Sequence, residues 1–169
     1  ESMIHSAVPT RAEVSDIANA ILDGTDAIML SEETTLGEYP AEAVEVMTRV
    51  AKRIENDALH EKLLSSSERV HHNSVGESIA AYAVRTAHKV NAKFIVSLTH
   101  SGYGARMLSR HRSQLPILVF TPNDVVYQKS ILNFGCWVFK TGPYTGFQST
   151  LDEIKKIVLK NKLGKKGDK

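Results

Sequence analysis

The sequence predicts an α/β fold: a three-layer αβα domain with a mostly parallel sheet, preceded by a separate helix-strand-helix segment. Three observations carry this. From about residue 74, apolar strands alternate with amphipathic helices through short connections, the pattern of parallel βαβ units. The strands FIVSLT, ILVFTP and CWVFK are apolar runs rather than alternating ones, as expected when helices cover both faces of a sheet. The helix ends carry capping residues and glycine stops at the right places.

In chain order, PTRAEVSDIANAILDG reads as a helix opened by the capping box Thr10-x-x-Glu13 and stopped at Gly24. Its apolar face is Val14, Ile17, Ala18, Ile21 and Leu22. Ala27-Ile28-Met29-Leu30 reads as a short strand, and SEETTLGEY as a polar loop. A second helix runs from Pro40 to about Asp57 with Val44, Met47, Val50, Ala51 and Ile54 inward. Residues 59–73 lose periodicity and gather serines and histidines, so they read as a linker. His71 and His72 are adjacent, point apart and make a poor metal pair. Ser74-x-x-Glu77 opens a helix to about Val90 with Ile79, Ala80, Ala83, Val84 and Ala87 inward. After the strand FIVSLT come a short helix, ARMLSRHR, the strand ILVFTP and the helix DVVYQKSILNF stopped by Gly135. CWVFK is the last strand, and Thr150-x-x-Glu153 opens a last helix to about Lys162.

The chain has 169 residues, 42% hydrophobic and 24% charged, the balance of a globular protein with a real core. Lys+Arg is 21 against Asp+Glu 19, and a net charge of +2 argues for neither nucleic acid nor an anionic membrane as partner. No apolar run approaches the ~20 residues that span a bilayer. The single cysteine, Cys136, sits in an apolar run, which excludes a disulfide framework within one chain and suits a reducing compartment. There is no GxxxxGK[ST], HExxH or GxSxG, and SGYG lacks the spacing of a dinucleotide-binding loop.

Two stretches attract chemistry. In SEETTLGEYP a hydroxyl and carboxylates follow a strand end at once, which makes Ser31 and Glu33 candidate site residues, although the pattern alone favours an ordinary polar loop. In VSLTHSGYGARM, Ser97, Thr99 and Ser101 alternate into Gly102 and Gly104, then Arg106. Hydroxyls and glycine amides at a helix start suit an anion. A loop that needs only small residues fits the same pattern.

The stretch ESMI…PTRAEVSDIANAILDGTDAIMLSEETTLGEYPAEAV closely resembles the end of the catalytic barrel of the pyruvate kinase family, almost without a break from Glu1 to Val44. LTHSGYGA, PILVFTP and the closing KKGD resemble that family's C-terminal domain. The resemblance implies a final helix-strand-helix of a (β/α)8 barrel in residues 1–58, a linker over 59–73, and the C-terminal allosteric domain over 74–169. It also implies that the chain stops before that domain's last two strands, with an open sheet edge prone to strand exchange.

The resemblance further implies transfer of the phosphoryl group of phosphoenolpyruvate to ADP, giving pyruvate and ATP, with Mg²⁺ and usually K⁺. The metal ligands and the catalytic lysine are expected upstream of Glu1, so this stretch alone is expected to be inactive and to hold no metal. Ser31 and Glu33 match the serine and glutamate of the loop bordering the active site, as supporting residues. Glu32 stands where the family has glycine, and Leu36 where many members have lysine. Arg11 and Asp16 match charges of a helix at the subunit interface. Thr99, Ser101, Gly102, Tyr103 and Gly104 lie in the loop that cradles an effector's phosphate, although Gly104 replaces an expected hydroxyl residue. A cytoplasmic homotetramer follows by the same resemblance. The alternative is a free-standing, non-catalytic effector-binding or interaction module of the same fold.

Overall fold

The computed structural model describes residues 1–57 and 74–168. The expected linker and His71 and His72 lie outside the described residues. The chain divides into two compact units, Glu1–Arg69 and Val70–Lys169.

Among its described residues the first unit contains a 3₁₀ turn, Ser2–Ile4, and the helices α1 (Arg11–Leu22), α2 (Glu32–Thr35) and α3 (Pro40–Glu55). α1 begins as its sequence demands. Thr10 Oγ1 accepts from Glu13 N at 3.3 Å, and the Glu13 carboxylate accepts from Thr10 N at 2.8 Å, closing the capping box. Gly24, with φ +86°, ends it in the left-handed region. The core joins Met3, Ile17 and Ile21 to Ala43 and Val46.

Three expectations fail here. Ala27–Leu30 is not a strand: no described segment pairs with it, and Met29 is 87% exposed. An apolar run becomes a strand only when another offers it a hydrogen-bond ladder. The polar loop contains a full helical turn, α2. Of the expected stripe of α3 only Val44 is out of place, half exposed, while Ala43 and Val46 are buried. Met47, Val50, Ala51 and Ile54 do pack on the core. Val14 of α1 likewise points partly outward.

The second unit is three-layered. Its sheet comprises β1 (Ile95–Leu98), β2 (Ile117–Thr121) and β3 (Cys136–Lys140), all parallel in the order β1-β2-β3. The helices are α4 (Val75–Lys89), α5 (Tyr103–Ser109), α6 (Asp124–Ser130) and α7 (Phe147–Lys160). Alternate residues of β2 face opposite layers. Ile117 and Val119 pack with Ala80 and Val84 of α4 and with Ala105, Met107 and Leu108 of α5. Leu118 and Phe120 pack with Ile154 and Val158 of α7. The expected αβα architecture is therefore the observed one.

Its details differ from the pattern reading. Only β2 is wholly buried; Val96 and Leu98 of β1 and Trp137 of β3 are about half exposed, because these strands form the edges. In α4, Ala81 takes the inward place expected of Ile79, which is 65% exposed. α6 stops at Ser130, short of Gly135. α7 begins three residues before Thr150, at a Gly146 cap. Thr150 instead donates its hydroxyl to Gly146 O at 2.7 Å, and Glu153 accepts from Gly142 N at 3.0 Å. The expected box cannot form once both partners are engaged by the preceding turn.

Candidate functional site

Each strand of the sheet ends in a threonine at its C-terminal edge: Thr99 just after β1, Thr121 at the end of β2, Thr141 just after β3. All three are buried. Sites in parallel α/β folds gather along this edge. Thr99 N still pairs with Phe120 O at 3.0 Å, so the backbone remains in register up to the turn. Thr99 Oγ1 then accepts from Gly102 N at 2.8 Å, and Ser101 Oγ accepts from Tyr103 N at 3.4 Å. Gly102 sits at φ +80°, and a Cβ there would meet Val126 Cγ1 at 3.3 Å. A glycine is required by conformation and space together. Gly104 is different: its φ is ordinary, and an added Cβ would meet only Ser97 Oγ at 3.6 Å. The hydroxyl missing at 104 was therefore not sacrificed to packing.

Of the expected loop residues, Thr99, Ser101, Gly102 and Gly104 line one turn. The side chain of Tyr103 leaves it. Its hydroxyl lies 3.2 Å from Ser74 Oγ at the start of α4, and its ring covers Gly76.

Sequence reasoning missed a neighbour of this turn. Tyr144, in the segment after β3, donates its hydroxyl to Phe120 O at 2.8 Å, with Thr99 O at 3.4 Å. Burial pushes its phenol pKa up. The only local signal was one aromatic between turn residues in TGPYTGF.

In the first unit Ser31 caps α2 without a side-chain hydrogen bond. The Glu33 carboxylate turns back onto its own loop. It accepts from Ser31 N at 3.0 Å and from the Glu1 amino group at 3.1 Å. The backbone amides of Glu33 and Ser31 hold its carboxyl below the ordinary range. As a hydrogen-bond acceptor it fixes the backbone of its own loop. Glu32 lies in α2 and is not in the left-handed region, so a side chain at that position costs no strain. Arg11 and Asp16 are both exposed on α1 and make no ion pair with each other.

Among the described residues no group of three or more His, Cys, Asp or Glu is arranged to hold a metal ion. No described helix is long and apolar enough to cross a membrane.

Comparison with known proteins places these features in one family. The family model for the pyruvate kinase barrel domain matches residues 1–44, and that for the pyruvate kinase alpha/beta domain matches residues 77–169. A pyruvate kinase of Bacillus licheniformis is 44% identical over 95% of this chain, which covers 27% of that protein. One of Dictyostelium discoideum is 36% identical over the whole chain, which covers 34% of it. Among solved structures, a Cryptosporidium parvum pyruvate kinase is 35% identical and superposes with a TM-score of 0.88 over 99% of this chain and 34% of its own. The same enzyme in complex with ADP gives a TM-score of 0.83 at the same coverage. The chain spans about a third of the length of these relatives. Matched by family models in both units and over more than half its residues by the second alone, it belongs to the pyruvate kinase family.

Proposed function

We propose that this chain forms the end of the catalytic barrel and the regulatory α/β domain of an enzyme that transfers the phosphoryl group of phosphoenolpyruvate to ADP, giving pyruvate and ATP. The observation that carries the reading is the pair of family matches, barrel then alpha/beta domain, in the same order along one chain. Residues 1–58 are assigned to the barrel, 59–73 to the linker and 74–169 to the C-terminal domain. ADP is the nucleotide bound by the Cryptosporidium parvum relative. Mg²⁺ and K⁺ serve the reaction through residues other than the described ones, and phosphoryl transfer rests on such charge stabilisation and positioning.

In this reading Glu33 and Ser31 shape the loop beside the active site, and Glu33, kept ionised, orders that loop's backbone. Arg11 and Asp16, unpaired with each other, are available to a neighbouring subunit of a tetramer. Thr99, Ser101, Gly102 and Gly104 offer hydroxyls and amides to the phosphate of an effector. The enzyme works in the cytoplasm.

A coupled assay of the full protein with phosphoenolpyruvate and ADP tests the activity, with and without sugar phosphates and AMP. Turnover is expected from the full protein and none from residues 1–169 alone. A full protein that binds sugar phosphate but gives no turnover would favour the non-catalytic module instead.

A further inference from the structure

α5 is seven residues long, too short to hold its shape without tertiary contacts. Two contacts fasten its ends to one place, the first turn of α4. At its N-terminal end, Tyr103 lies over Gly76 with its hydroxyl 3.2 Å from Ser74 Oγ. At its C-terminal end, Arg110 reaches Glu77 Oε1 at 2.5 Å. Ser74 Oγ in turn accepts from Glu77 N at 3.2 Å, so the capping hydroxyl of α4 and the tyrosine share one small network.

Gly76 is what permits this. A Cβ on it would come within 2.8 Å of Tyr103 Cε1 and 3.2 Å of its hydroxyl. Glycine is, after proline, the costliest residue in a helix, and its presence in the first turn is explained by the ring lying on it. Tyr103 also directly follows Gly102, the left-handed residue that shapes the turn between β1 and α5. One side chain therefore joins that turn to the start of α4. In sequence, the start of α4 follows the segment between the two units.

We propose that Tyr103 is a positioning residue, a latch on Ser74 and Gly76 that makes the order of the 99–104 turn and of the first turn of α4 a single property. Its role is to transmit occupancy of the turn to the start of α4, not to touch the ligand. This second part rests on the reading of the turn as an effector's phosphate site.

Hydrogen exchange on the full protein tests both parts. Without ligand, Tyr103→Ala is expected to raise exchange at residues 75–78 about fivefold, with a smaller rise for Tyr103→Phe, which keeps the ring and loses the hydroxyl. Unchanged exchange in both variants overturns the latch. With fructose 1,6-bisphosphate, the unaltered protein is expected to gain protection at residues 100–106 and 75–78 together, and Tyr103→Ala only at 100–106. Protection of both segments in Tyr103→Ala overturns the transmission. Protection of neither segment in the unaltered protein, with fructose 1,6-bisphosphate or millimolar phosphate, overturns the phosphate-site reading while the ligand-free comparison still decides the latch. Gly76→Ala gives a second variant: its Cβ displaces the ring, so it is expected to match Tyr103→Ala in the ligand-bound pattern.

Discussion

Gly102 and Gly104 stand two residues apart and answer to different constraints. Gly102 occupies a left-handed conformation, with Val126 against the face a side chain would fill. Gly102→Ala is expected to cost about 1–2 kcal/mol, read as a lower urea midpoint. Gly104→Ser restores a hydroxyl where space is open and should stay within about 0.5 kcal/mol of the parent. Glu13 is the other residue whose surroundings make a clear prediction. In the chain 1–169, where residue 1 carries a free amino group, that ammonium, then Ser2 and Thr10, hold its carboxyl well below its ordinary range against a smaller opposing effect of burial. A carboxyl whose folded pKa is depressed stabilises above its unfolded pKa and loses that contribution as pH falls through and below it. Stability of the first unit should therefore drop below about pH 4.5, the unperturbed value for this group. Glu13→Gln should flatten that acid limb in denaturation curves taken between neutral pH and pH 3. An equally steep limb in the variant would assign the acid sensitivity to other groups.

β2 is the element on which the second unit depends. It is buried along its whole length, and Phe120 stacks on Phe139 with ring centroids 5.3 Å apart. Its alternating side chains hold the α4–α5 layer on one face and α7 on the other. Phe120→Ala is expected to cost about 3–5 kcal/mol, enough to unfold much of a marginally stable unit, as circular dichroism in urea would show. The element scale is also where the pattern reading was uneven. Capping at Thr10 and Ser74 was legible because a hydroxyl and the amide three residues on are local chemistry. Met47, Val50, Ala51 and Ile54 of α3 face the core as their period requires and Val44 does not, because a helical period leaves the border of the face open and the docking of α1 sets it. The start of α7 was misread because Gly146 carries no capping side chain to announce it. Ala27–Leu30 has a strand's composition and finds no partner among the described residues.

Seen as a whole, the α/β unit presents two sheet edges among the described residues. Val96 and Leu98 on β1 are 40% and 41% exposed, apolar and uncharged. Such an edge invites pairing with another strand. The chain 1–169 alone is expected to self-associate in sedimentation at micromolar concentration, and Val96→Lys to shift it toward monomer. A monomeric parent would remove the β1 edge as the cause of any aggregation.

The order of helices and strands in the second unit, the caps at Thr10 and Ser74, the α/β class, the glycine turn after β1 and the resemblance that places the chain in its family were determined by the sequence alone. These are local or periodic properties, expressed within a few residues of one another. The tertiary structure decided that Val44 of α3 leaves the core, which strands are edges among the described residues, and that the apolar run at 27–30 pairs with no described segment. It also decided that Tyr103 leaves the 99–104 turn for Ser74, and that Tyr144 reaches back to Phe120. These outcomes join residues 24 or more apart in the chain, and only the packing of one element on another brings such partners within hydrogen-bonding reach.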